Sequence, residues 1–124
     1  MRRRIVTFDV WDVVAVPFPY TNRSVQQRRP ALVVGRHSHE GGPPLLWVLM
    51  ITSASHRTWH GDVVISDPDG VCLPAPSMVR TAKIATIEAR DAEKLSSLPP
   101  ENRSDVAGYL RATFADLAHK EGDQ

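Results

Sequence analysis

The sequence predicts a mainly β protein in which one curled antiparallel sheet is followed by a single C-terminal α-helix. Valine-rich apolar runs of strand length alternate with turn segments, and the ten prolines and seven glycines suit short strands better than a helical bundle. Apolar residues recur at helical spacing only after Pro99 and Pro100. A chain of 124 residues is long enough to bury its own core, so we expect residues 1–124 to form one domain.

The predicted strands lie in residues 10–88, which we expect to form the sheet. They are residues 11–18, 29–35, 45–52, 62–65 and 77–87. The first is apolar at almost every position, as in a strand buried on both faces, and Pro17 and Pro19 end it because proline lacks a backbone donor. Residues 1–9 are a basic lead-in, and residues 91–95 are expected to form one helical turn.

The C-terminal helix is predicted over residues 100–120. Val106, Leu110, Phe114 and Leu117 recur at helical spacing behind the two prolines, and proline is favoured at a helix start. Gly108 lies inside this segment and costs about 1 kcal/mol relative to alanine. We therefore expect packing against the sheet to hold the helix in place.

Composition narrows the class of protein. The single cysteine, Cys72, excludes an internal disulfide framework and is typical of a reducing compartment; we expect it to be a small buried apolar residue. The sequence contains no apolar segment of transmembrane length and no signal-peptide core behind the basic lead-in. We expect a cytoplasmic protein that does not bind membranes.

The net charge of +1 conceals an asymmetry along the chain. Residues 1–60 carry eight arginines and three acidic residues, whereas residues 61–124 carry seven basic and eleven acidic residues. A basic face over the early strands could bind an anionic partner. Ordinary surface charge explains the totals equally well.

The residues that remain for chemistry are arginines and hydroxyls at strand ends. No HExxH, P-loop, paired-cysteine zinc or GxSxG motif occurs, so we expect no metal and no cofactor. The candidates are Arg28, Arg29, Thr52, Ser53, Ser77, Arg80 and Thr81. Guanidinium groups match phosphate geometry, and we expect Arg28 and Arg29 to form a fork. RNA supplies its own 2′-OH nucleophile, so this set could assist cleavage as well as binding. The alternative is solvated strand-end charges and a threonine that only pairs in the sheet.

The chain resembles the MazF/PemK family of type II toxin–antitoxin ribonucleases. The resemblance lies in an ordered set of segments: residues 12–21, 28–34, 51–53, 76–84 and 86–88, followed by the helix. Each segment alone is weak, but their order and spacing agree over roughly residues 10–118.

The resemblance implies an SH3-like small barrel, a homodimer and metal-independent, sequence-selective cleavage of single-stranded RNA. The products would carry 2′,3′-cyclic phosphate and 5′-OH ends, and an antitoxin would occupy the RNA groove. The family pattern places catalytic roles on Arg29, Thr52 and Arg80. We predict RNA contacts from Gln27, Arg28, Ser53, His56, Ser77 and Lys83.

The chain departs from the family pattern at three places. Trp11 stands where a glycine commonly precedes the first-strand acid, and Ala82 where some members carry Asp. No residue between Phe18 and Arg29 titrates near neutrality, so either Arg29 would have to do more, or His56 or His60 would have to reach the site. These departures leave two alternatives open: a toxin of the same fold that poisons DNA gyrase by protein contact, or a degenerate anion- or RNA-binding module.

Overall fold

The computed structural model describes residues 7–18, 27–38 and 40–122. Most of the basic lead-in and the loop after the first strand, including Pro19, lie outside the described residues. The strands are β1 (Asp12–Phe18), β2 (Gln27–His37), β3 (Leu45–Ser53), β4 (Asp62–Val64), β5 (Ser77–Glu88) and β6 (Glu93–Ser97), followed by helix α1 (Pro100–Gly122).

The six strands form one sheet in the order β4-β5-β3-β2-β1-β6, and every pairing is antiparallel. This confirms the mainly β fold with one C-terminal helix. The two outer strands, β4 and β6, are not hydrogen-bonded to each other in the described part of the chain, so the sheet is not closed into a continuous barrel. No described helix is both long and apolar enough to cross a membrane.

The central strands bury both of their faces. Because successive side chains of a strand point to opposite faces, Val13 packs into one hydrophobic cluster and Val14 into the other. The first cluster also holds Leu49 and the helix residue Val106, and the second holds Met50. The prediction of a first strand buried on both faces is therefore confirmed.

Strand β5 carries a large irregularity beside β3. Leu49 lies opposite Ile84, but Ile51, two residues on, lies opposite Val79. Residues 80–83 of β5 therefore face the single residue Met50, which makes this a β-bulge with more than the usual one extra residue. A bulge of this kind re-aims side chains, and it places Arg80 and Lys83 at the end of β3.

The segment after β5 differs from the sequence prediction. In place of a helical turn over residues 91–95, a short 3-10 turn at Ala89–Asp91 leads into β6, which pairs with β1. The segment is polar and has no clear apolar alternation, so the signal for a strand was missing from the sequence. The backbone hydrogen bonds offered by the outer edge of β1 decided the conformation.

The helix is covered over its first half only. Val106 is fully buried, whereas Phe114 is 47% and Leu117 is 68% exposed. The expectation that packing holds the helix is thus met at Val106, and the helix contacts β4 and β5. The apolar stripe continues to Phe114, which lines a cavity with residues of β3 and β5, and to the exposed Leu117.

Among the residues that the structure describes, two non-glycine residues have positive φ, Trp11 at 81° and Cys72 at 62°. At Trp11 the backbone therefore has a conformation that glycine adopts without strain. The N–H of Trp11 donates to the carbonyl of Val33 at 2.8 Å, and its ring packs against the first cluster. Cys72 is exposed, which corrects the expectation that it is buried.

Candidate functional site

A small cleft of about 50 Å³ opens where β1 ends and where the β5 bulge meets the end of β3. Its lining residues are Phe18, Arg29, Met50, Ile51, Thr52, Arg80 and Lys83. We call it the basic cleft. Strand pairing explains how distant segments meet here: Val16 of β1 lies opposite Arg29, and Ala31 of β2 lies opposite Met50. Side chains two apart on a strand share a face, so Arg29 and Thr52 point to the same side of the sheet.

Two cations of the cleft contact the same aromatic ring. The guanidinium carbon of Arg29 lies 5.9 Å from the centroid of Phe18, and Lys83 Nζ lies 4.7 Å from it. Arg29 Nη2 also donates to Gln27 Oε1 at 3.1 Å. Within the described ranges, neither Arg29 nor Lys83 forms a salt bridge with a carboxylate. The cleft therefore has two positive charges that no described acid neutralises.

Thr52 supplies the hydroxyl of the cleft. Its Oγ1 lies 2.6 Å from Nδ1 of His56, which sits in the turn that follows β3. The strand places Thr52 beside Met50 and Arg80, and the turn brings the imidazole back to it. His56 thus reaches the site through Thr52.

Arg80 lines the cleft but is held by the protein. Its side chain is 9% exposed, and Nη2 lies 3.1 Å from Oδ2 of Asp62, whose own side chain is 1% exposed. Nε donates to Asp62 Oδ1 at 3.2 Å, and Nη2 donates to the carbonyl of Arg57 at 2.7 Å. The ring of Trp59 covers the guanidinium at 3.9 Å. Arg80 therefore anchors the segment between β3 and β4 as well as lining the cleft.

Arg28 lies apart from Arg29, so the arginine fork expected from the sequence is not formed. Its guanidinium donates to the carbonyl of Asp91 at 3.2 and 3.3 Å and lies 3.9 Å from Glu93. Adjacent residues of a strand point to opposite faces, so Arg28 turns towards β6. Only Arg29 of the pair lines the cleft.

The predicted serines are also outside the cleft lining. Ser77 is buried and donates to the carbonyl of Ala75 at 2.8 Å, and Ser53 shares a hydrogen bond with Ser55 at 2.8 Å. The sequence analysis did not single out Phe18, Asp62 or Trp59. Phe18 could have been noticed as the last aromatic residue of an apolar strand, but nothing in the sequence linked Asp62 to Arg80.

The arrangement suits an anionic ligand. Arginine and lysine bind phosphate oxygens, and a threonine hydroxyl adds a hydrogen bond. No group of three or more His, Cys, Asp or Glu side chains is placed to hold a metal ion within residues 7–18, 27–38 and 40–122. The fold and the cleft together define a small antiparallel β protein with a phosphate-compatible basic site.

Comparison with known proteins identifies the family. Residues 9–114 match the family model of PemK-like, MazF-like toxins of type II toxin–antitoxin systems. This match covers most of the chain, so the protein belongs to that family, as its ordered motifs indicated. The search of curated proteins found no match to this chain.

Solved structures share the fold at low identity. MazF of Deinococcus radiodurans (Form-I) has a TM-score of 0.65 and 20% identity, covering 90% of this chain and 99% of that one. Two MazE–MazF structures of the same organism are also similar. Form-II has a TM-score of 0.62 and 20% identity, covering 89% and 97% of the two chains. Form-III has 0.61 and 19%, covering 89% and 98%.

Proposed function

We propose that this toxin is a metal-independent endoribonuclease that cleaves single-stranded RNA at selected sequences. The observation that carries the proposal is that Arg29 and Thr52 line one cleft together with Lys83. The two unneutralised cations favour a phosphodiester, and the hydroxyl lies where it can contact the same phosphate. Such a protein would act in the cytoplasm on messenger RNA.

The proposed reaction uses the nucleophile of the substrate. The ribose 2′-oxygen forms a bond to the adjacent phosphorus while the bond to the 5′-oxygen breaks, and one proton moves from the 2′-OH to the departing oxygen. The products are a 2′,3′-cyclic phosphate and a 5′-OH. Arg29 and Lys83 would stabilise the negative charge that develops on the phosphoryl oxygens. Thr52 would hold the phosphate in its orientation through a hydrogen bond.

The hydrogen bonds of the other predicted site residues separate those that belong to the cleft from those that do not. Gln27 accepts a hydrogen bond from Arg29, so we propose that it orients the guanidinium. Arg80, which binds Asp62 and the carbonyl of Arg57, would form the wall of the cleft. Arg28, Ser53 and Ser77 do not line the cleft, so we leave them out of the proposed site.

The experiment is cleavage of a long RNA in excess EDTA, with mapping of cut sites and end groups. Wild-type protein is expected to cut, and Arg29→Ala is expected to lower the rate about 100-fold or more because a transition-state donor is lost. Arg28→Ala is the matched control: it removes the same side chain from the other face of the strand and should change the rate only a few-fold.

Two results would contradict the proposal. Equal cutting by Arg29→Ala and wild type removes Arg29 from the mechanism. Wild-type protein that leaves RNA intact but binds a protein partner tightly would favour the non-catalytic alternative, in which the same fold acts by protein contact.

We also propose that an antitoxin covers the basic cleft. MazF of D. radiodurans has been solved with MazE, and the two unneutralised cations of this cleft would suit an acidic segment as well as RNA. Antitoxin and RNA should then compete. The test is whether a candidate antitoxin suppresses RNA cleavage, and whether raising the concentration of the substrate RNA restores it.

A homodimer is the assembly we propose. A second cavity of about 370 Å³ is lined by Trp47, Ile84, Ala85, Thr86 and Phe114, and its three large apolar residues are exposed. Contiguous exposed apolar surface marks interaction sites. Light scattering should give the mass of two chains for wild type and of one chain for Phe114→Glu. Asp116→Ala, on the same helix, should remain dimeric.

A further inference from the structure

We propose that His56 is a positioning residue that sets the direction of the Thr52 hydroxyl during RNA cleavage. The inference deepens the proposed function and rests on it. It starts from one contact: Thr52 Oγ1 and His56 Nδ1 are 2.6 Å apart. This is hydrogen-bond distance, and the roles of the two atoms depend on where the imidazole carries its protons.

The fold holds the turn that carries His56 from both sides. The N–H of His56 donates to the carbonyl of Ser53 at 3.1 Å, which closes the turn directly after β3. On the other side, Arg80 Nη2 binds the carbonyl of Arg57 at 2.7 Å. The next anchor is the N–H of Trp59, which donates to Asp62 Oδ2 at 2.8 Å. The imidazole is therefore placed against Thr52 by a fixed turn.

The proton count of the imidazole decides what the hydroxyl offers the cleft. In the doubly protonated ring both nitrogens are donors, so Nδ1–H donates to Oγ1 and the Thr52 O–H is free to donate to a phosphoryl oxygen. When the neutral ring lacks the Nδ1 proton, Nδ1 accepts a hydrogen bond from the Thr52 hydroxyl, and the O–H then points away from an anionic ligand. The neutral ring supplies the donating arrangement only in one tautomer. Protonation of His56 therefore favours the hydroxyl direction that binds phosphate, and it adds a positive charge.

The other charged groups around Thr52 do not share the positioning role that we propose for His56. Arg57 follows it in the chain, and Arg29, Arg80 and Lys83 line the cleft around Thr52, so the nearby charges are cationic. The carboxylate nearest in the bonding network, Asp62, is bound to Arg80. His60, the other histidine of this segment, contacts the ring of Tyr109 at 5.6 Å between centroids.

The test compares pH profiles of single-turnover cleavage for three proteins in EDTA, using an RNA oligonucleotide with one cut site. His56→Asn keeps an amide near the Nδ1 position but does not titrate, and His60→Asn is the matched control. The wild-type rate divided by the His56→Asn rate should fall about tenfold from low to high pH, because the amide N–H of Asn can donate to Thr52 at every pH whereas the ring loses that donor. The same quotient for His60→Asn should stay constant. Effects of pH that all variants share cancel in these quotients.

A second measurement separates action through Thr52 from a structural role. In a Thr52→Val background, His56→Asn should cause no further loss, because the hydroxyl that it directs is gone. The thermal midpoint of His56→Asn should match that of wild type.

A pH-independent quotient for His56→Asn, with wild-type cleavage intact and lost in Arg29→Ala, overturns this inference and leaves the proposed function standing. Wild-type protein that cuts no RNA at any pH overturns both.

Discussion

At the residue scale, the ion pair between Arg80 and Asp62 shows how a candidate catalytic side chain is also structural. Both side chains are almost fully buried, and the ring of Trp59 covers the guanidinium. A buried charge is tolerated only when it is paired and hydrogen-bonded, and Asp62 does both for Arg80. The pair thus fixes the cleft wall and the turn that carries His56.

Asp62→Ala is expected to destabilise the fold by about 3–5 kcal/mol, because it leaves the Arg80 charge buried without a partner. Urea unfolding followed by circular dichroism measures this. Glu93→Ala is the control: its ion pair with Arg28 is 3.9 Å long and both side chains are exposed, so a loss of at most about 1 kcal/mol is expected. Similar losses in the two variants would contradict a special role for the buried pair.

At the element scale, helix α1 is held at one end. Its first half buries Val106 in the cluster shared with β1, β2 and β3, whereas residues 111–120 are exposed. Helices in proteins are stabilised more by tertiary packing than by propensity, so we expect the buried Val106 to contribute much of the stability of α1. The exposed half is then available for the proposed second copy.

Val106→Ala should lower the free energy of unfolding by about 2 kcal/mol, from the lost methyl groups and the cavity that remains. Val64→Ala removes the same atoms from a side chain that is 62% exposed, so it should cost less than about 0.5 kcal/mol. Both values come from chemical denaturation at one protein concentration. If the two substitutions cost the same, the helix is not anchored through this residue.

At the scale of the whole molecule, the net charge of +1 says little about where an anion binds. In the basic first half of the chain, residues 1–60, Arg36 pairs with Asp9 and Arg28 pairs with Glu93. These surface ion pairs partly neutralise the two charges. Arg29 joins Lys83 from the acidic second half of the chain. The basic site is therefore made by folding the two halves together, and not by the basic half alone.

Lys83→Ala should reduce the salt dependence of RNA binding. Each phosphate that a protein neutralises on single-stranded nucleic acid contributes about 0.7 to the slope of log K against log salt, so the slope should fall by about that amount. Lys120→Ala, at the exposed end of α1, should leave the slope unchanged. Fluorescence anisotropy of a labelled RNA at several salt concentrations measures both. An unchanged slope for Lys83→Ala would place its charge outside the RNA contact.

Five of the six strands, the C-terminal helix and the family were predictable from the sequence, because apolar periodicity, prolines and ordered motifs are local signals. The sequence also singled out Arg29, Thr52 and Lys83, which the structure places in one cleft. Tertiary structure decided the rest. Strand alternation sent Arg28 away from Arg29, and an open edge of β1 made a strand of β6. The bulge in β5 brought Lys83 to Phe18, and burial committed Arg80 to Asp62. These outcomes depend on which face and which partner each residue meets, and such contacts between distant segments exist only in the folded chain.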